Sequence, residues 1–120
     1  MRHVALLAVA TVFCSHQAMA ASKTTLKPEE ITATFGNGKA FVSSTPSGTS
    51  YMLTLNADGT ASRLPAKGMI PIPGKWRVSN DGYCSTWGSA LETCYQVQKD
   101  GNRYVVVTAR GSVAAYWSKQ

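Results

Sequence analysis

Beyond Lys39, apolar and polar residues alternate in short runs broken by Asp-Gly pairs and by proline. Asp58-Gly59, Asp81-Gly82 and Asp100-Gly101 each lie between two alternating runs, the strongest short-range signal for a β-hairpin. The pattern predicts eight strands, at Ala40–Ser44, Ser50–Asn56, Thr60–Leu64, Lys75–Asn80, Tyr83–Trp87, Thr93–Lys99, Arg103–Thr108 and Val113–Ser118. Pro65 to Gly74 holds three prolines and two glycines and is expected to be the one long loop, because proline does not serve a central strand. Before Lys39 the period changes. Pro28 suits a first helical position, Glu29 and Glu30 suit the positive end of a helix dipole, and Leu26 and Ile31 have the spacing of a hydrophobic staple. Ile31 and Phe35 share a face, Gly36 is expected to stop the helix, and Asn37-Gly38 to turn the chain. Two turns of helix form only if that face packs on something.

Two-residue turns at Asp81-Gly82 and Asp100-Gly101 set Trp76 opposite Trp87, Val78 opposite Ser85, Val97 opposite Tyr104 and Tyr95 opposite Val106. One face then collects Trp76, Val78, Trp87, Tyr95, Val97, Tyr104 and Val106. The other collects Lys75, Arg77, Ser79, Cys84, Thr86, Cys94, Gln96, Gln98 and Arg103. Both cysteines fall on the polar face, although the two turns were placed independently. Consecutive hairpins with one apolar face predict a mainly β fold. The expected form is an antiparallel meander of about eight strands, closed as a small up-and-down barrel or curved over the helix.

The N-terminus changes what composition means. Met1-Arg2-His3 is a short basic start, Val4 to Phe13 is apolar, and Ala18-Met19-Ala20 has the spacing that signal peptidase reads. The apolar run is shorter than the roughly 20 residues of a membrane-spanning helix. Residues 1–20 are therefore expected to be a cleaved secretory signal, and residues 21–120 a single mature domain. Phe13 before Cys14 does not fit a lipidation site. Cleavage removes Phe13, Cys14 and both histidines, His3 and His16, and leaves eleven basic residues against six acidic, a net charge of +5. Export to the periplasm or beyond predicts a disulfide between the remaining cysteines, Cys84 and Cys94.

Without histidine, the mature chain has no His-based triad, His-ligated metal or His-held haem. Turns account for Asp58, Asp81 and Asp100, and the helix start for Glu29 and Glu30. Glu92 alone lacks a structural reason, and one carboxylate is no acid–base pair. No Ser-x-x-Lys and no phosphate loop is present. No cofactor, no metal and no catalysis are expected. Lys75-Trp76-Arg77 has the look of a nucleic-acid platform, but alternation turns Trp76 inward and export argues against nucleic acid. In Tyr116-Trp117 one of the two rings is expected to face outward.

Glu30-Ile31, Asp58-Gly59-Thr60, Gly74-Lys75-Trp76-Arg77-Val78, Cys84-Ser85-Thr86-Trp87, Cys94-Tyr95-Gln96-Val97 and Gly101-Asn102-Arg103-Tyr104 follow one another along the chain. In this order they resemble small exported Gram-negative proteins sharing a domain of unknown function, number 995. The resemblance implies export and a β fold, and it assigns no activity. More loosely, Arg110-Gly111-Ser112 and Tyr116-Trp117-Ser118-Lys119 are similar to stretches of periplasmic inhibitors of c-type lysozyme, with the Ser-Gly order reversed. A basic chain meets basic lysozyme with repulsion.

The expectation is therefore a periplasmic, non-enzymatic binding or envelope-associated protein, not integral to the membrane. Its partner is an anionic envelope component or another protein. It binds through the polar face around Lys75, Arg77 and Arg103, or at the barrel mouth beside Pro65–Gly74. Inhibition of a hydrolase such as lysozyme is the alternative.

Overall fold

Pro28 opens a helix, α1, that runs to Phe35, and the chain before it is already anchored. Thr24–Thr25 forms a two-residue strand, β1, and the Leu26 N–H donates to the Val97 carbonyl at 2.8 Å. The Glu30 carboxylate accepts from the Lys27 N–H at 3.1 Å, which satisfies a donor at the helix start. Leu26, Ile31 and Phe35 are buried, so the predicted staple and helix face both pack. These observations come from a computed structural model that describes residues 23–68 and 70–119. The expected signal segment, 1–20, lies outside the described residues.

The chain then forms eight antiparallel strands: β2 Phe41–Ser44, β3 Ser50–Leu55, β4 Thr60–Pro65, β5 Ile72–Val78, β6 Tyr83–Trp87, β7 Thr93–Asp100, β8 Arg103–Val107 and β9 Val113–Lys119. Each pairs with its neighbour from β2 to β9, and β9 pairs back with β2, so the sheet closes into an eight-stranded barrel. Closure leaves no long open edge. The short β1 is an addition that alternation did not predict. It lies on β7 at Gln98 and Lys99, beyond the point at which β6 stops pairing.

Register differs from the two-residue turn prediction in a consistent way. Val78 pairs with Tyr83 and Trp76 with Ser85, because Ser79 to Gly82 makes a four-residue turn. Val97 pairs with Val106, because the tight turn is Gly101-Asn102, with Gly101 at φ +62°. Each hairpin is displaced by two residues. A two-residue shift keeps every side chain on its predicted face, where a shift of one would have reversed it. Trp76, Val97 and Val106 are buried accordingly, and Trp87, Tyr95 and Tyr104 pack against the core. Gly82, the last residue of that turn, is required by close approach, since a Cβ there would strike the Tyr95 carbonyl oxygen.

The expected Pro65–Gly74 loop is shorter than predicted. Pro65 ends β4 and Ile72-Pro73-Gly74 begin β5. Pro73 is tolerated because it pairs only with Ser62; the ladder to β6 starts one residue later, at Gly74.

Cys84 and Cys94 form the predicted disulfide and sit directly opposite each other on β6 and β7. Helix α1 plugs one end of the barrel. Phe35 packs edge-on against Tyr104 and Trp117 and tilted against Phe41, all with ring centroids within 4.8 Å. Such pairs contribute about 0.5–1.5 kcal/mol each beyond area burial. Among the described residues no helix is long and apolar enough to cross a membrane.

Candidate functional site

With α1 closing one end, the strand ends Ser44, Ser50, Pro65, Ile72, Trp87, Thr93, Val107 and Val113 surround the other. That end is open. A cavity of about 150 Å³ enters it and stops on a floor that includes Leu53, Tyr83, Val106 and Trp117. The barrel is therefore a cup.

Small residues create the space. β9 carries a bulge at Ala114, between the pairs Val106–Ala115 and Val107–Val113, and both Ala114 and Ala115 line the cup. Neither fills the volume that a leucine or phenylalanine would occupy at the same place. The hydroxyl-bearing residues Ser43, Thr45, Tyr51, Tyr83, Ser85 and Tyr95 are also in the lining, so the wall is mixed rather than greasy. Ser43 Oγ accepts from Trp117 Nε1 at 3.1 Å, which fixes the floor. Burial, and then the neighbouring Tyr95, push the Tyr83 hydroxyl well above its ordinary value of 10, so Tyr83 stays neutral.

Among the described residues one charged side chain lines the cup, Arg63 on β4. It pairs across the sheet with inward-facing Leu53. Its guanidinium carbon lies 4.8 Å from the Trp87 ring centroid and 5.7 Å from that of Tyr51. Trp87 can lie in this place because Gly74, beside it on β5, has no side chain; a Cβ at Gly74 would run into the Trp87 ring. The sequence of contacts is thus Gly74, Trp87, Arg63, Tyr51. Arg63 Nε is buried and has no hydrogen-bond partner among the described residues. Leaving such a donor unpaired costs about 1–3 kcal/mol. The two aromatic faces offset part of that, about 0.5–2 kcal/mol each.

Among the described residues no carboxylate lines the cup. Glu29 and Glu30 on α1, Asp58 and Asp81 in the turns, and Asp100 at the end of β7 lie at the plugged end. Glu92, in the loop before β7, leans over the outer wall, where Arg77 donates to it from Nε at 3.0 Å and from Nη2 at 2.7 Å. That pair lowers the Glu92 carboxyl from its ordinary 4.5. The unassigned carboxylate is thus an exposed partner of Arg77, without the burial that would suit a catalytic acid. Cys84, Glu92 and Cys94 also cluster within metal-binding reach. Both sulfurs are committed to the disulfide and both carboxylate oxygens to Arg77, so the cluster is not a ligand set.

The cations selected from the sequence do not form one patch. Lys75 and Arg77 are neighbours on the outside of β5. Arg103 is on β8, with β6 and β7 between, about 14 Å around the wall at roughly 4.8 Å per strand. Arg77 is held by Glu92. The Arg103 guanidinium lies over the Tyr116 ring at 4.4 Å and 4.0 Å from Asp100. Lys75 is exposed. Of Tyr116 and Trp117, Trp117 faces inward and is buried. The mouth beside the Pro65–Gly74 segment, the other surface selected, is where the cup opens. Its rim carries the exposed side chains of Ile70 and Leu91 on two different loops.

Arg63 was not among the residues selected from the sequence. Compared with protein-family models, curated proteins and solved structures, the chain matches none.

Proposed function

We propose that the protein is an exported, periplasmic, non-enzymatic binding protein, and that a small molecule occupying the open cup is its ligand. The observation that carries this reading is the cup itself: a cavity at the unplugged end of a closed barrel, with an aromatic floor and a wall that mixes apolar and hydroxyl groups. Concave, mostly apolar sites with a few convergent polar groups are the usual form of small-ligand sites, and barrel mouths are a usual place for them. Exposed Ile70 and Leu91 at the rim give an apolar ligand a first contact. Nothing in the geometry adds to the hydrolase-inhibitor alternative, and Trp117 of the Tyr116–Lys119 stretch is withdrawn into the core.

The test is a thermal-shift screen of a small-molecule collection against the purified protein and against Ala115→Leu, which fills the cup. Some compounds are expected to raise the wild-type melting temperature and to lose that effect on the variant. A screen in which no compound discriminates between the two would contradict the reading. Inhibition of lysozyme by the same preparation would favour the alternative.

A further inference from the structure

We infer that the cup selects anions: its ligand is a small monocarboxylate with a compact apolar body, whose carboxylate meets Arg63. This rests on the cup being a ligand site and adds the ligand's chemistry. Three independent observations support it. First, Arg63 is the charged side chain lining the cup among the described residues; its Nε is shielded and has no hydrogen-bond partner among them, so the outer guanidinium nitrogens are what a ligand meets. Second, among the described residues the cup holds no carboxylate, and Glu92, at its end of the barrel, has both oxygens taken by Arg77 on the outer wall. Third, Trp87 and Tyr51 lie against the guanidinium, so its plane is held rather than free to sweep through solvent.

A held guanidinium presents its N–H groups as a fork that matches a carboxylate. The remaining wall sets the rest of the molecule. Leu53, Val106, Ala114, Ala115 and the Trp117 ring offer apolar contact below the charged group. The volume, about 150 Å³, is the size of cavity that accepts a single benzene ring. One ring or a short branched chain therefore fits. A single guanidinium in a wall of mixed apolar and hydroxyl-bearing residues suits one negative charge; inorganic phosphate would bring a second charge and no apolar body.

The experiment measures binding to the full protein by calorimetry and by tryptophan fluorescence, using benzoate and isovalerate against benzamide, benzylamine and inorganic phosphate. The carboxylates are expected to bind saturably. Benzamide, which keeps the ring and loses the charge, is expected to bind about tenfold or more weakly, the size of one charge-assisted contact. Arg63→Gln is expected to remove the preference for benzoate over benzamide, and Arg63→Lys to restore part of it. Equal affinity for benzoate and benzamide on the wild-type protein would overturn the anion assignment and leave the cup as a ligand site. Phosphate binding as tightly as benzoate would overturn the apolar body. No binding by any ring or branched-chain compound would overturn both readings. The comparison of ligands on the unaltered protein stands even if an Arg63 variant fails to fold.

Discussion

Replacing Gly36 with alanine should destabilise the protein, although its backbone gives no reason for glycine. Gly36 ends α1 at φ −86°, ψ 29°, a conformation any residue adopts. On backbone grounds the substitution would stabilise by about 0.4–1 kcal/mol, through the unfolded chain. The opposite is expected because a Cβ at Gly36 meets Trp76 Cη2 at 2.5 Å and Cζ2 at 2.8 Å. That is roughly 1 Å inside ordinary carbon–carbon contact. Trp76 has little room to retreat: it is buried, and its Nε1 donates to the Asn56 carbonyl at 2.8 Å. Overpacking of this kind costs about 1–3 kcal/mol. The net loss is then about 0–2.6 kcal/mol, centred above 1, with a fall of roughly 4–8 °C in melting temperature for each kcal/mol in a domain of this size. Thermal and urea unfolding of Gly36→Ala, Trp76→Leu and the double variant measure it. In the Trp76→Leu background the alanine should be neutral or stabilising. A Gly36→Ala protein more stable than wild type would refute the docking of the plug on Trp76.

Reducing the Cys84–Cys94 disulfide, or replacing both cysteines with alanine, should cost about 2–3 kcal/mol for a closed loop of this length; an unchanged melting temperature would contradict the bridge. Burial holds the Tyr83 hydroxyl neutral, so the stability it contributes is full below pH 10 and is lost as pH rises beyond it, where the unfolded chain ionises. Tyr83→Phe should flatten that alkaline decline in a series of melting curves. The Glu92 carboxyl should titrate below 4.5 by NMR and move back up in Arg77→Gln; its contribution is present above 4.5 and fades as pH falls through the lowered value. Ala115→Leu should keep or raise the melting temperature, because it fills space, while removing ligand binding; retained binding would place the ligand elsewhere.

Alternation carried most of the barrel. The eight main strands and the plugging face of α1 follow from residues whose period is unambiguous; the same alternation places on one face the two cysteines that remain after the expected cleavage. The two hairpin registers came out two residues away, because Gly82 and Gly101 are placed for reasons that a dipeptide does not reveal: close approach to Tyr95 in one, the first position of a later turn in the other. Arg63 was missed through a smaller difference. A two-residue turn at Asp58-Gly59 would pair Leu53 with Leu64 and send Arg63 outward. The actual loop is Ala57-Asp58-Gly59, closed by Asn56 and Thr60, with Gly59 at φ +88°. That one-residue change pairs Leu53 with Arg63 and turns the arginine into the barrel. Glycine at the third position of a three-residue loop was the available signal. Lys75, Arg77 and Arg103 were visible as cations, but Glu92, Asp100 and Tyr116 reach two of them only through the fold.

The most direct measurement is the Nε–H resonance of Arg63, assigned by its loss in Arg63→Lys and followed by NMR as benzoate or benzamide is added. Benzoate should shift it saturably through contact at the outer guanidinium nitrogens, with benzamide needing about tenfold or more higher concentration for a comparable shift. An Arg63 signal indifferent to benzoate, or moved equally by both compounds, would contradict the claim that this cup recognises a carboxylate.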